Sequence, residues 1–86
     1  MSHHATNRFW RAFARLPPEI QKLARENYDL LKIDPRHPSL HLKRVGPYWS
    51  ARIGSSHRAL GLDSPIGIAW FWVGSHEEYI RLIKQS

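Results

Sequence analysis

Two arginines, a histidine and a tyrosine carry the chemistry that this sequence offers most clearly. Arg52 and Arg58 flank the turn signal Gly54-Ser55-Ser56. With a three-residue loop there, Ile53 faces His57 and Arg52 faces Arg58, and two opposed guanidinium groups repel unless an anion lies between them. With a two-residue loop, Arg58 shares a face with Ile53 and the pair dissolves; the sequence permits both. In the first case one sheet face carries Lys43, Arg52 and Arg58 with Tyr48 beside them. Arginine forks match phosphate oxygens and a phenol ring can stack on a base. A solvated polar sheet face has the same pattern. His76 and Tyr79 are three apart in a helical segment and therefore share a face. An imidazole exchanges protons near neutral pH, and a phenol can orient a phosphate. The same two residues would also serve simply as a helix start and a ring packed on the sheet.

Other chemistries find less in the chain. There are six histidines and no cysteine. His76-Glu77-Glu78-Tyr79-Ile80 departs from the H-E-x-x-H zinc pattern at its last position, and Pro38 keeps His37 and His41 off a common helical face. The His3-His4 pair reads as part of a polar, disordered end. No metal site is expected. The five glycines are isolated, so no phosphate-cradling loop forms. Trp70-Phe71-Trp72 could stack on bases, although a run of this kind is the ordinary content of a buried strand.

These residues need elements to hold them. Phe9, Ala12, Phe13 and Leu16 recur with helical period, with Arg8, Arg11 and Arg15 on the other side, and Thr6 or Asn7 can cap the start. After Leu16-Pro17-Pro18 a second stripe runs through Ile20, Leu23, Ala24, Asn27, Tyr28 and Leu31, and Asp34, preceding a proline, ends it. From Ser39 the period becomes two. Leu40 and Leu42 alternate with His41 and Lys43, and Trp49, Ala51 and Ile53 alternate with Tyr48, Ser50 and Arg52. Residues 57–62 and 66–73 form two more strands, Gly74 ending the last. Ser75-His76-Glu77-Glu78 fits a capping box and opens a short final helix. The predicted fold is α+β: an N-terminal helical hairpin packed on a four-stranded, mostly antiparallel sheet, with a short C-terminal helix. Phe13, Leu23, Leu31, Trp49 and Trp70 are expected to fill the core.

Eighty-six residues suit one domain, residues 1–86. Hydrophobic residues at 42% and charged residues at 23% describe a globular chain. Thirteen Lys and Arg against seven Asp and Glu give a formal charge of +6, which favours nucleic acid or an acidic protein as partner over cationic or apolar substrates. The eight-residue apolar run 66–73 is far short of the ~20 that a membrane helix needs, and no segment reads as a targeting signal, so a cytoplasmic protein is expected.

Taken in order, Leu16-Pro17-Pro18-Glu19-Ile20, Asp34-Pro35-Arg36-His37-Pro38-Ser39-Leu40, Lys43-Arg44-Val45-Gly46, Trp49-Ser50-Ala51-Arg52-Ile53-Gly54, Arg58-Ala59-Leu60 and the run from Trp70 to Tyr79 make the chain resemble the RelE/ParE superfamily of type II toxin–antitoxin toxins. The resemblance spans nearly the whole chain. It implies a ribosome-dependent endoribonuclease that cuts mRNA through the RNA's own 2′-hydroxyl, leaving a cyclic phosphate and a free 5′-hydroxyl without a metal cofactor. It also implies a cognate antitoxin as partner. On this basis Arg52, Arg58, His76 and Tyr79 are the catalytic set, and Lys43, Arg44 and Tyr48 line the RNA groove. Ser50 stands where some RelE toxins carry a catalytic lysine, and residues 1–7 lack the alternation of an opening strand. ParE relatives share the fold but poison DNA gyrase, so a gyrase inhibitor is the second expectation. A non-toxic remnant that binds RNA or a peptide is the third.

Overall fold

A computed structural model describes residues 2–85. Met1 and Ser86, the ends of the sequence, lie outside the described residues. The chain runs β1 (His3–Ala5), α1 (Asn7–Phe13), α2 (Pro18–Ile33), a 3-10 turn (Pro38–Leu40), β2 (Lys43–Val45), β3 (Tyr48–Ile53), β4 (His57–Ser64), β5 (Gly67–Ser75) and α3 (His76–Lys84). The strands form one sheet in the order β1-β5-β4-β3-β2. The α+β class, the helical hairpin and the C-terminal helix are as predicted.

The sheet has five strands rather than four. The additional one is β1, which pairs in parallel with β5, His3 opposite Ile68 and Ala5 opposite Trp70. Three residues are too few to show alternation, and this strand is held largely by its contacts. Trp70 Nε1 donates to His3 Nδ1 at 3.1 Å, and the Tyr28 hydroxyl donates to the His3 carbonyl at 3.3 Å. Ile68 N–H donates to the Ser2 carbonyl at 2.9 Å. Gly67, at φ +140°, allows this approach, because any Cβ there would collide with the Ser2 backbone. The His3-His4 segment is therefore ordered, contrary to the reading of residues 1–7.

Elsewhere the element boundaries move. Leu40 lies in the 3-10 turn and His41 at φ +47°, so β2 begins only at Lys43. Asp63 and Ser64 belong to β4, and Gly74 lies inside β5 instead of ending it.

The helical hairpin covers one sheet face. Phe9, Phe13, Leu16, Ala24 and Leu31 pack with Ala51, Ile53, Ala59, Ile68, Trp70 and Val73 in one cluster. Phe13, Leu31 and Trp70 are buried as expected, whereas Leu23 and Trp49 are only half-buried. Trp49 lies opposite Gly61, with its indole N–H donating to Asp63 Oδ1 at 2.9 Å. A tryptophan whose N–H needs a partner settles at a wet margin of the core.

The other face carries a second, smaller packing centre. Leu60 and Tyr79 are 1% and 5% exposed yet lie outside the helix-side cluster. A bulge between Leu60 and Gly61 sets Leu60 opposite Trp72 and Gly61 opposite Trp70, so Phe71 is the extra residue. Trp70 faces the main core, while Phe71 packs against Tyr48 with ring centroids 5.8 Å apart. The aromatic run is thus divided between the two faces.

Candidate functional site

The three-residue hairpin forms. Gly54 takes φ +60° in the loop, and the register sets Ile53 opposite His57 and Arg52 opposite Arg58. Alternation then puts Tyr48, Ser50 and Arg52 of β3 on the face opposite the helical hairpin. Arg58 and Leu60 of β4 and Lys43 of β2 share it, Lys43 opposite Ser50 and Ser50 opposite Leu60. Two half-buried arginines therefore oppose each other beside a lysine.

Both guanidinium groups are braced by backbone. Arg52 Nε donates to the Gly54 carbonyl at 3.1 Å, and Arg58 Nη1 donates to the His57 carbonyl at 2.7 Å. Asn27 in α2 donates from Nδ2 to the Arg52 carbonyl at 3.0 Å, fixing β3 from the far side. Burial lowers the pKa of Arg58, the Arg52 charge lowers it further, and Tyr79 acts in the opposite sense. A guanidinium is not deprotonated in proteins, so Arg58 remains a cation. Its charge is merely less well solvated and less well compensated, which is the condition under which an incoming anion gains most.

Helix α3 starts beside this pair. Ser75 caps it, accepting from Glu78 N–H at 3.2 Å while Ser75 N–H donates to Glu78 Oε1 at 3.3 Å. The His76 N–H donates to the Ser56 carbonyl at 2.9 Å, tying the first helical residue to the loop that sets the arginine register. Since Ser75 pairs with His57 and Gly74 with Arg58, His76 emerges next to the arginine end of β4. Its side chain is exposed, with the Tyr79 ring 5.8 Å away and tilted by 36°. Tyr79 is buried, so it flanks His76 and offers no open surface to a base.

The remaining predicted residues divide by face. Lys43 is exposed on the arginine face, and Tyr48 sits there half-buried against Phe71. Arg44 alternates to the opposite face, where it pairs with Asp63 at 2.8 Å and lies 4.9 Å from the Trp49 ring centroid. Arg44 is therefore not brought to the arginine pair. Ser50 is 2% exposed and points among Lys43 and Leu60, too buried to act as a base on a substrate. Among the described residues no three His, Asp or Glu side chains gather as a metal site. Sequence reasoning missed the carbonyls of Ser56, His57 and Gly54 and the amide of Asn27, which position the site; backbone acceptors leave no mark in composition or periodicity.

No family model matches the sequence, and no curated protein matches it. Solved structures do. A chain of the RelB-RelE antitoxin–toxin complex from Methanococcus jannaschii matches with a TM-score of 0.70 at 13% identity, over 91% of this chain and 95% of that one. The free-state structure of a mutant of the toxin RelE from E. coli matches with a TM-score of 0.62 at 15% identity, over 96% and 94%. This is the RelE fold. The toxin–antitoxin complex RelBE2 from Mycobacterium tuberculosis adds a TM-score of 0.63 at 23% identity, over 87% and 96%. Within the RelE fold, Arg52, Arg58 and His76 gather around one hairpin and one helix start, with Lys43 and Tyr48 on the same sheet face.

Proposed function

We propose that this chain is the toxin of a type II toxin–antitoxin pair and a metal-independent endoribonuclease that cuts mRNA on the ribosome. The observation that carries this is the opposition of Arg52 and Arg58 on the sheet face away from the helical hairpin, with His76 tied to the same loop. Arg58 would hold the scissile phosphate and Arg52 would serve as second cation while charge grows on the phosphorane. The 2′-oxygen attacks phosphorus as its proton passes to solvent water, the bond to the 5′-oxygen breaks, and His76 gives that oxygen a proton. Tyr79 acts through His76, holding its ring. Lys43 and Tyr48 would guide the RNA along the sheet. A gyrase inhibitor of the ParE kind has no use for a proton-transferring imidazole beside opposed arginines.

The partner would be an antitoxin. Two of the matching structures are antitoxin–toxin complexes, and a chain with a charge of +6 is complemented by an acidic or amphipathic segment. Such a segment would cover part of the arginine face or displace α3. No helix among the described residues is long and apolar enough to cross a membrane, and the proposed place of action is the cytoplasm, where mRNA is translated. Induced expression with mapping of mRNA 5′ ends tests the proposal. Discrete new ends inside translated frames are expected; growth arrest with intact mRNA and broken DNA would point to gyrase instead.

A further inference from the structure

Helix α1 breaks a local rule. Arg8 stands in its first turn, at the positive end of the helix dipole, and the first turn has no acidic residue. Arg11 follows three residues on in the same helix, and Arg15 stands in the turn just beyond its end. All three are exposed, and the ion pairs among the described residues, Asp29–Lys32 and Arg44–Asp63, involve none of them. Three exposed like charges along one short segment repel one another, so the arrangement favours a compensating anion outside the chain.

The ladder also has a floor. Arg8, Arg11, Ala12 and Arg15 line a groove of about 340 Å³ whose aromatic wall is Trp72, half-exposed on β5. A second groove of about 230 Å³ shares Ala12, Arg15 and Trp72 and runs on to His57, Gly74 and Glu78. Gly74 is the partner of Arg58 in the sheet, so the second groove ends one strand away from the candidate site. The acid on this path, Glu78, has Oε1 taken by the Ser75 cap. Cations in a row beside a half-exposed indole suit a single-stranded nucleic acid, whose phosphates meet the arginines while a base stacks on the ring.

We propose that Arg8, Arg11 and Arg15, with Trp72 as stacking floor, form a second RNA-binding strip that holds the single strand adjoining the bond presented to Arg52 and Arg58. The placement of that bond rests on the endoribonuclease reading; binding by the strip does not depend on cleavage. The test uses a fluorescent 2′-O-methyl dodecauridylate, which lacks the attacking hydroxyl, and follows its anisotropy with the purified chain as salt is raised. Replacing Arg8, Arg11 and Arg15 together by glutamine should weaken binding about 10- to 100-fold at low salt and reduce the log–log salt slope by about 2, near 0.7 per lost phosphate contact. Trp72→Ala should weaken it about 5- to 100-fold with the slope unchanged, and Trp72→Phe should restore most of it. A control replacing Lys22, Arg36 and Lys84 by glutamine removes the same charge elsewhere and should retain the wild-type slope.

An unchanged slope in the arginine variant, an equal fall in the control, or no wild-type binding at 50 mM salt would each overturn the strip. So would an arginine variant that keeps the oligonucleotide but loses an acidic antitoxin peptide, since the ladder would then be a protein interface. Cleavage of translated mRNA is scored separately. Oligonucleotide binding intact with no cleavage would refute the endoribonuclease reading and leave the strip standing.

Discussion

At the scale of residues, Arg58 and Arg52 pull stability and activity apart. Facing like charges without a counter-ion destabilises the free fold, so Arg58→Met should leave the melting temperature unchanged or raise it. Under the proposed mechanism the same change would remove a contact that strengthens in the transition state, and mRNA cleavage should fall by about 10²–10³. Calorimetry alongside a cleavage assay checks both halves; a variant that loses stability and keeps activity would contradict the role. His76→Gln keeps the helix start, whose bond to Ser56 is made by backbone, but removes proton transfer. Its cleavage rate should drop by about 10²–10⁴ at unchanged fold, whereas a gyrase binder would arrest growth as strongly as before. The arginine pair could be read in the sequence only as far as the loop length allowed, because one residue more or less in 54–56 turns Arg58 to the other face. Gly54 at positive φ resolves that choice, and a dihedral angle is not written in a residue name.

At the scale of elements, periodicity revealed what is long and regular. The two helical stripes, the strands around 48–53 and 57–62, and the Ser75–Glu78 cap all appear where their residues placed them. What is short escaped. The β1 strand has three residues and depends on Trp70, Tyr28 and Gly67, all distant in sequence. The 3-10 turn over Pro38–Leu40 mimicked strand alternation because its single buried leucine, Leu40, is followed two residues on by Leu42. The dependence of β1 on His3 has a pH consequence. Burial lowers the His3 pKa, and Nδ1 must be unprotonated to accept from Trp70. Stability from this contact is therefore complete above the ordinary imidazole range, about pH 6.5, and is lost as pH falls through the lower folded value. The melting temperature should fall more steeply below pH 6.5 in the wild type than in His3→Asn, whose amide oxygen can accept at any pH in that range. Parallel curves would show that His3 does not secure β1.

At the scale of the molecule, a single sheet separates two tasks. The helical hairpin closes one face into the core, and the other face is left with arginines, a lysine and a small packing centre of Leu60 under Tyr79. That second centre holds α3, and hence His76, against the site. Leu60→Ala should cost about 2–5 kcal/mol, a large share of what so small a domain possesses, and chemical denaturation would register it. The charge of +6 was legible from composition, but the division of the Trp70–Trp72 run between faces came from a bulge that composition cannot show. As an endoribonuclease of the proposed kind, the arginine face would cut RNA through the RNA's own 2′-hydroxyl. The most direct measurement is end-group analysis of mRNA recovered from translating ribosomes after incubation with the purified chain. Fragments carrying a cyclic phosphate and a 5′-hydroxyl, produced by the wild type and reduced by at least about 10²-fold with a folded Arg58→Ala, are the predicted result. Intact mRNA with the wild type, or equal cleavage by the variant, would contradict it.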